Sequence, residues 1–467
     1  MKHISIKNIS FSKFTLAFLF IFMICSVFSL KRWSMAETPQ KIINWDVTSY
    51  YSYLPAIFIY HDITFEFIKN YPEKNFGEKH EFFYQTAPNG SKVAKFTMGT
   101  AIMYTPFFLI AHLSAHLFHY EANGFSIPYE FFLAISSLFY LLIGLIFLRK
   151  LLLLFFNEVA TSITLISIIL GTNLYYYSTS EPAMSHAYSF SLVSIFLYQF
   201  IKWYENPNYK KSILIGLLFG VIVLIRPVNC IILIFPLLYG IYSKRTFIDK
   251  LNILTSNRKH VVIAAFSNFL VFIPQLFYWK YLTGHWLFYS YLNETFYFNH
   301  PHILSGLFSY RNGWLTYTPI MIFAFVGMIF LLKKHKNIIL PALFFLLINI
   351  YVAYSWWTWW YGGSFGSRPM IDTYPIMALP IAALFQTVLN KSKFISISLI
   401  IIVAAFIGLN LFQSFQKRTG IIHWDAMSKE SYWYVFLKSD LTFDERVAHD
   451  KLLVHPDYNN ALLGKEE

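Results

Sequence analysis

The sequence predicts an all-α, polytopic membrane protein, and two observations carry this prediction. Of 467 residues, 56% are hydrophobic and only 13% are charged, whereas soluble domains carry about 25% charged residues. Apolar runs of about 20 residues, long enough to cross a bilayer as helices, recur along the chain. These runs are continuous, whereas the strands of a membrane β-barrel alternate apolar and polar residues.

The apolar runs predict about eleven transmembrane helices. They lie near residues 14–30, 128–148, 158–177, 187–201, 212–226, 228–242, 261–282, 316–332, 338–356, 373–390 and 394–412. The net charge is +13, and the Lys and Arg residues cluster in short gaps between the runs, as they do in cytoplasmic loops. We therefore predict a multi-pass plasma-membrane protein with a cytoplasmic N-terminus, and no nucleic-acid partner.

The first apolar run is predicted to be an uncleaved transmembrane helix. Three lysines precede it, as in a secretory signal peptide, and residues 34–36 resemble a cleavage site. The basic and aromatic residues 31–33, however, follow the run directly and are typical of an interfacial anchor.

The segment 97–118 is predicted to be a re-entrant or interfacial helix on the outer side. If it crossed the membrane, Arg149 and Lys150 would move outside, and every later loop would invert against the charge rule. The segment contains Pro106, and the gap 120–129 that follows has no Lys or Arg. An ordinary span is the alternative.

A charged residue and a proline, Arg226 and Pro227, interrupt the apolar stretch 212–242. Basic pairs flank this stretch at both ends, so two short helices that meet at an outward-facing turn satisfy the charge rule. Proline fits such a turn because it cannot continue the backbone ladder of a helix. A charged residue at this depth usually faces a cavity or a partner.

This topology places nearly all the unusual chemistry on the outer side. The chain is predicted to divide into a transmembrane catalytic domain, 1–412, whose outer loop 31–127 carries interfacial helices, and a short periplasmic tail, 413–467. The tail is too short for a substantial core of its own, so it is expected to pack on the outer face.

Four outer stretches carry the candidate functional residues. They are NWDVTSYYSYLP around Asp46, KFTMG at Lys95, GTNLYYYSTSEPAMSH at 171–186 and WWTWWYGGSFGSRPMIDTYP at 356–375. An Asp after the first span, a Lys-x-x-x-Gly entry to an embedded helix and an acid-Pro loop resemble the GT-C superfamily, membrane glycosyltransferases that use polyprenyl-phosphate sugars. The resemblance covers roughly residues 10–425 and is to bacterial relatives of protein O-mannosyltransferases and of the lipid A aminoarabinose transferases.

The resemblance implies roles for three residues. Asp46 matches the catalytic acid of the family, and a carboxylate suits removal of an acceptor proton while the sugar develops oxocarbenium character. A single base implies inversion at the anomeric carbon. Lys95 matches the basic residue that holds the lipid phosphate, whose developing charge it would stabilise. Glu181 matches a second acid, where some relatives have Asp. The alternative for each is an ordinary interfacial or helix-terminal residue.

Further candidates follow from side-chain chemistry on the same face. Arg226 and Arg368 are candidate phosphate ligands because a guanidinium binds phosphate bidentately, and an ion pair of Arg368 with Asp372 is the structural alternative. His186 is a candidate for assisting at the phosphate or the acceptor. The candidate contacts to sugar or lipid are Tyr50, Trp359 and Tyr361, with an interfacial aromatic belt as the alternative.

The sequence indicates no certain cofactor. Zinc is not indicated, because there is no HExxH motif, no paired cysteine and no His cluster, and both cysteines, Cys25 and Cys230, lie inside apolar runs. A divalent cation held by Asp46 and Glu181 is the candidate metal site. The glycine-rich stretch 362–366 lacks the Gly-Lys-Ser/Thr of a nucleotide-binding loop.

The function predicted from these residues is transfer of a monosaccharide from a polyprenyl-phosphate donor to a cell-envelope acceptor on the periplasmic side. The expected partners are the lipid-linked sugar, a glycan, lipid or protein acceptor, and membrane lipid. One alternative is an enzyme of the O-antigen polymerase or ligase type, whose site would use His285, His300, His302 and Arg311 of the late loop 283–315. The other is a transporter or flippase of lipid-linked saccharide.

Overall fold

A computed structural model describes residues 10–35, 41–70 and 84–465 of the chain. About 70% of it is helical, which confirms the predicted helical class. In the described residues, the regular strands are β1 (Gln85–Thr86) and β2 (Lys92–Val93), an antiparallel pair in which Gln85 lies opposite Val93.

Twenty-one α-helices follow one another through the described residues. They are α1 (Phe11–Leu30), α2 (Asp46–Tyr51), α3 (Tyr53–Phe58), α4 (Gly99–Leu117), α5 (Ile127–Leu152), α6 (Glu158–Leu170), α7 (Leu174–Thr179), α8 (Ser185–Glu205), α9 (Tyr209–Ile225), α10 (Ile234–Leu238), α11 (Lys244–Ser256), α12 (Arg258–Thr283), α13 (Ile303–Phe308), α14 (Trp314–Tyr317), α15 (Ile322–Lys334), α16 (Lys336–Tyr354), α17 (Tyr374–Val388), α18 (Lys393–Arg418), α19 (Lys429–Val435), α20 (Phe443–Asp450) and α21 (Tyr458–Leu462). The 3-10 helices are Arg32–Met35, Glu66–Asn70, Pro227–Leu233, Pro319–Met321 and Arg368–Thr373.

Seven segments of the described chain are long and apolar enough to cross a membrane, so the protein is multi-pass. They are Phe11–Met35, Gly99–Leu117, Ile127–Leu152, Arg258–Thr283, Lys336–Tyr354, Arg368–Val388 and Lys393–Arg418. The segment Arg368–Val388 is the most enclosed, with 83% of its apolar stretch buried, whereas Lys393–Arg418 has 11% buried and exposes apolar side chains. Such exposed apolar surface is typical of contact with lipid.

The predicted count of eleven spans is not shown, because several predicted spans form shorter helices. The stretch 158–177 is divided between α6 and α7. At the break, the Thr172 hydroxyl donates to Ile168 O (2.6 Å) and accepts from Leu174 N (3.2 Å). A threonine side chain that bonds to the local backbone in this way competes with the helical ladder.

The predicted turn at Arg226 and Pro227 is present, but the helix that follows it ends at Leu238 rather than near 242. The chain returns through the 3-10 helix Pro227–Leu233 and α10. At its end, Gly240 N donates to Asn337 O (3.0 Å) beside the start of α16. The returning segment therefore reaches the end of the bundle where the basic gaps lie.

Both ends of α4 pack on the side opposite those basic gaps. At its N-terminus, Gly99 lies so close to α9 that a Cβ would come within 2.2 Å of Ile225 N. Towards its C-terminus, His112 Nδ1 lies 2.6 Å from the hydroxyl of Tyr129, in the first turn of α5. This packing favours a re-entrant helix, whereas the length and composition of α4 also suit a span. The re-entrant assignment stays a prediction.

The last long helix, α18, continues to Arg418, six residues beyond the predicted domain boundary at 412. The residues after it form the short helices α19, α20 and α21. They pack against the outer loops, where the Tyr297 hydroxyl donates to Leu462 O (2.7 Å) and Ser364 N donates to Trp424 O (3.2 Å). The division into domains at 412 is not tested by these contacts and stays a prediction.

Candidate active site

A cavity of about 450 Å³, here the first cavity, gathers most of the predicted site residues. They are Asp46, Tyr50, Lys95, His186, Arg226, Tyr361 and Arg368. Glu181 and Trp359 are not among its lining residues.

The carboxylate of Asp46 lies at the start of α2 and contacts a guanidinium. Arg368 Nη2 lies 3.0 Å from Asp46 Oδ2, and both side chains keep partial exposure, 17% and 28% respectively. The preceding residue, Trp45, has a φ of 48°, a conformation that is costly for a bulky residue. This strained turn sets Asp46 as the first residue of α2 and therefore fixes the direction in which the acid enters the cavity.

A second ion pair lies beside the first. Arg226, the last residue before the Pro227 turn, places Nη1 3.0 Å from Asp372 Oδ2. His186 Nδ1 lies 3.9 Å from the other oxygen of Asp372 and has no hydrogen-bond partner. The predicted alternative in which Arg368 pairs with Asp372 is therefore wrong. Arg368 and Asp372 lie in the same 3-10 helix, Arg368–Thr373. Each of them pairs with a residue from a distant segment instead, Arg368 with Asp46 and Asp372 with Arg226.

Lys95 also has an acidic partner, one that the sequence prediction missed. Its Nζ lies 2.5 Å from Glu294 Oε1, and Trp357 Nε1 donates to the second oxygen of Glu294 at 3.2 Å. Glu294 is the only acid in the loop 283–315, and that isolation is the signal that would have identified it. Tyr458, from the tail, is another lining residue that was missed.

Two tyrosines, Tyr50 and Tyr361, contribute neutral hydroxyl groups to the first cavity. The Tyr50 ring packs on Phe96 with centroids 4.3 Å apart, and burial, together with the charge of Asp46, raises the pKa of Tyr50 to about 12. Burial likewise raises the pKa of Tyr361 to about 12. Both hydroxyls therefore stay protonated at neutral pH, so neither tyrosine acts as the base there.

Glu181 does not line the first cavity. The hydroxyl of Tyr176 donates to its carboxylate at 3.0 Å, and burial raises the pKa of Glu181. The charges of Lys417 and Arg368 oppose that shift, so Glu181 acts electrostatically on a cation that pairs with Asp46.

A second cavity of about 480 Å³ opens on the same side and shares Trp357 with the first. Trp359 lies here, and the His302 ring is roughly parallel to it with centroids 6.2 Å apart. Arg311 stands 5.1 Å from the centroid of the Trp360 ring. The other lining residues are Tyr297, His300, Ser305, Ser309, Met427, Ser428, Val454, Ala461, Gly464 and Lys465. His285 is exposed and does not line this cavity.

The residues around Asp46 do not fit a divalent cation. The Asp46 carboxylate already contacts the guanidinium of Arg368, and a second guanidinium, Arg226, lines the same cavity, so a cation placed there would be repelled. Within the described chain, the group of three or more His, Cys, Asp or Glu side chains that could hold a metal ion is His423, Asp425 and His455, in the tail.

Comparison with known proteins links the chain to one fold. No protein-family model and no curated protein sequence matches it. Its structure resembles the apo oligosaccharyltransferase of Archaeoglobus fulgidus, with a TM-score of 0.50 and 14% identity over 95% of this chain and 60% of that one. Structures of that enzyme tethered to an acceptor peptide (TM-score 0.49, 12% identity, 96% of this chain and 60% of that one) and bound to an inhibitory peptide and a dolichol-phosphate (0.46, 12%, 96% and 60%) also match.

The likeness is one of fold. The chain spans about 60% of the length of the archaeal enzyme, and the sequence identity is far too low to carry residue roles from one protein to the other. The archaeal protein is an oligosaccharyltransferase, and this chain shares its fold. The superfamily indicated by the sequence motifs stays a prediction.

Proposed function

We propose that this protein is an inverting membrane glycosyltransferase. It moves a monosaccharide from a polyprenyl-phosphate donor to a cell-envelope acceptor on the periplasmic side of the bacterial inner membrane. The observation that carries this proposal is the first cavity, where Asp46, a carboxylate that can accept a proton, stands among the cations Lys95, Arg226 and Arg368.

The chemistry needs each of these groups. Asp46 removes the proton from the acceptor hydroxyl as the oxygen forms a bond to the anomeric carbon, and the bond from that carbon to the phosphate oxygen breaks. The electron pair stays on the leaving phosphate, whose charge the guanidinium groups and Lys95 stabilise. Attack opposite the leaving phosphate by a hydroxyl with a single base inverts the anomeric carbon.

Ion pairing prepares these residues for an anionic substrate. Each cation is held by an acid, Lys95 by Glu294, Arg226 by Asp372 and Arg368 by Asp46. Such pairing fixes the side chains before the substrate arrives and lowers the cost of ordering them on binding. Because Arg368 contacts the base itself, a phosphate bound to this guanidinium would stand next to the group that accepts the proton.

The walls of the first cavity suit a lipid-linked donor. Around the charges lie apolar and aromatic side chains, among them Phe96, Trp279, Phe288, Phe296 and Trp356. This combination gives a prenyl chain an apolar surface and its phosphate a cationic one. The resemblance in fold to an enzyme of lipid-dependent glycosyl transfer supports the same donor class.

The acceptor is assigned to the second cavity. It opens beside the first, and Trp359, with its neighbours, provides aromatic faces and several polar side chains. Aromatic rings with polar neighbours suit a hydroxyl-rich ligand, which needs both apolar contact and hydrogen bonds. Tyr50 and Tyr361 remain proposed contacts of the donor sugar in the first cavity.

Substitution of the proposed base tests the proposal. Asp46→Asn should lower transfer by about 10³-fold, within the range of general-base catalysis. The readout is the mass spectrum of envelope glycans in a deletion strain complemented with each variant, together with transfer by purified protein in lipid. The control is Asp440→Asn, which makes the same substitution at a side chain that is 87% exposed. This variant should restore the envelope glycans of the deletion strain fully. Full transfer by Asp46→Asn would refute the proposal.

A polymerase or ligase of the O-antigen type is the second candidate function. The observation that favours it is that His300, His302 and Arg311 do line a common cavity. That mechanism would tolerate Asp46→Asn and lose activity in Arg311→Gln. A flippase would also tolerate Asp46→Asn. Transfer lost in Asp46→Asn and retained in Arg311→Gln would exclude both alternatives.

The proposed sidedness has its own test. In a chain with Cys25 and Cys230 replaced by Ser, Asn123→Cys should react with a membrane-impermeant maleimide added outside the cell, because the gap after α4 is assigned to the periplasm. Lys259→Cys, in an assigned cytoplasmic gap, should react only after permeabilisation. If position 259 reacted from outside and position 123 reacted only after permeabilisation, the proposed topology would be inverted.

A further inference from the structure

We propose that His423, Asp425 and His455 bind a divalent transition-metal ion of the zinc class, and that this ion joins two segments of the C-terminal tail beside Tyr458, which lines the first cavity. This site is separate from Asp46 and does not depend on the proposed transferase chemistry.

The three side chains converge from two segments of the tail. One ligand atom from each lies within 4.8 Å of the others, and His423 Nδ1 is 3.5 Å from Asp425 Oδ1. In a tetrahedral zinc site with bonds of about 2.0–2.1 Å, neighbouring ligand atoms are about 3.3 Å apart. The histidine and the aspartate therefore already have the separation of two ligands on one ion.

The buried carboxylate provides a second, independent indication. Asp425 is only 1% exposed. Its Oδ2 accepts a hydrogen bond from the Tyr458 hydroxyl at 2.6 Å, whereas its Oδ1, the oxygen nearest His423, has no hydrogen-bond partner. A buried polar atom without a partner costs about 1–3 kcal/mol, and a bound cation would remove that cost.

The ligand set selects the class of metal. Two imidazoles with one carboxylate favour zinc and its neighbours in the first transition row, whereas magnesium and calcium prefer oxygen ligands throughout. Three protein ligands leave one tetrahedral position. His449 lies close enough to act electrostatically on His423, and its buried Nε2 has no hydrogen-bond partner.

The metal would brace the wall of the first cavity through Asp425. One carboxylate oxygen faces the histidines and the other holds Tyr458, a lining residue of that cavity. The two tail segments meet at the same point, where Val454 N donates to Ala426 O (2.8 Å). An ion at this point would join the residues after α18 to those before α21. Both segments belong to the tail, which is too short to have a substantial core of its own.

A metal-free turn is the competing arrangement. The backbone N–H groups of Asp425 and Ala426 donate hydrogen bonds to His423 Nδ1, at 3.3 and 3.1 Å. These two hydrogen bonds would have to break before Nδ1 could bind the ion. If these hydrogen bonds are the whole function of His423, the protein should bind no metal, and His455 should be dispensable.

Metal analysis of the full-length protein distinguishes the two arrangements. The protein is purified in detergent through a tag without histidine, incubated with one equivalent of zinc, desalted and measured by plasma mass spectrometry. We expect about one zinc per chain, and a loss of about tenfold or more in Asp425→Asn and His455→Ala. His285→Ala, which changes an exposed outer-loop histidine, should retain the metal. Zinc content at background in the unmodified protein, or equal content in all four proteins, would overturn the proposal.

A spectroscopic measurement guards against a variant that fails to fold. Cobalt added to the unmodified, metal-depleted protein should give the intense visible absorption of a tetrahedral site, and excess zinc should abolish it. Chelation should lower the melting temperature, and zinc should restore it, while His285→Ala behaves in the same way. Cobalt spectra of an octahedral aqueous ion, with no response of the melting temperature to chelation, would refute the site.

Discussion

The two outer cavities share Trp357 but differ in the kind of side chain that lines them. In the first, Asp46, Lys95, Arg226 and Arg368 supply charge, and each takes part in an ion pair. The second has several tryptophans, two histidines and hydroxyl groups, and its one arginine stands over an indole ring. Paired charges suit an anionic substrate that undergoes chemistry, whereas aromatic faces with hydroxyl groups suit recognition of a neutral, hydroxyl-rich ligand.

The two cavities also differ in which parts of the chain line them. In the first, the cations come from the segment before α4, the turn after α9 and the start of the 3-10 helix Arg368–Thr373, and the loops 284–302 and 355–367 supply much of the remaining wall. The second depends on the tail, which supplies Met427, Ser428, Val454 and the residues around α21. Substitutions in the first cavity should therefore change the rate of transfer, and substitutions in the second should change the affinity for the acceptor.

After Asp46, Arg368 should show the largest effect in the first cavity. Arg368→Gln removes both the partner of Asp46 and a phosphate ligand, so the turnover rate should fall by about 10²–10³-fold, as when a preorganised donor to the developing charge is lost. Arg368→Lys should recover only part of the rate, because an ammonium cannot bind bidentately. Single-turnover transfer with a polyprenyl-phosphate sugar measures both.

The matched control for Arg368 is Arg446, an exposed arginine of the tail that pairs with exposed Asp440. Arg446→Gln should leave turnover unchanged. Equal activity of Arg368→Gln and Arg446→Gln would show that the ion pair with Asp46 contributes only to folding.

Lys95 should have a smaller effect, seen mainly in donor binding. Lys95→Gln should raise KM for the donor by about tenfold, which corresponds to about 1.4 kcal/mol of a charge-assisted contact. Lys92→Gln is the control, because Lys92 is three residues away and pairs instead with surface Glu66 (2.8 Å). The same KM in both variants would remove Lys95 from the phosphate site.

Sequence alone identified the cations of the first cavity but not their partners. Lys95, Arg226 and Arg368 stand out because each is a charge at the edge of an apolar run on the predicted outer face. Glu294 pairs with Lys95 across 199 residues, and no local pattern encodes such a contact. Arg368 was given the wrong alternative partner for the same reason, since spacing of four residues favours a local pair only in an α-helix.

The helical class was predictable because composition and run length determine it. The number of spans was less predictable, because local competition breaks a helix without altering its hydropathy, as Thr172 does. The sequence named Trp359, His300, His302 and Arg311 of the second cavity, but it missed the part that the tail contributes and the histidine–aspartate cluster, because both depend on how the tail folds back. Residues 423 and 455 are brought together by packing between short segments with weak periodicity.

The second cavity should respond to Trp359→Ala in a different kinetic constant. Loss of an aromatic face removes about 0.5–1.5 kcal/mol beyond its area, so KM for the acceptor should rise by about 2–12-fold while turnover at saturation is kept. Trp433→Ala is the control, because Trp433 is a half-exposed tail residue (53% exposed) outside both cavities. A fall in turnover without a change in KM would show that Trp359 acts in the chemical step. It would contradict the proposal that the second cavity serves only to bind the acceptor.

The smallest effect is expected for Tyr50→Phe, and its pH dependence is the sharpest part of the test. Loss of one hydroxyl hydrogen bond costs about 0.5–1.5 kcal/mol, so the rate should fall by no more than about tenfold. Burial and the charge of Asp46 raise the pKa of Tyr50 to about 12, so its hydroxyl keeps the proton throughout the range in which the enzyme is assayed. The pH–rate profiles of Tyr50→Phe and the unmodified protein should therefore have the same shape up to about pH 10, the ordinary pKa of tyrosine. An alkaline limb that disappears in Tyr50→Phe would make Tyr50 an ionising group of the reaction and would contradict the proposal that Asp46 alone accepts the acceptor proton.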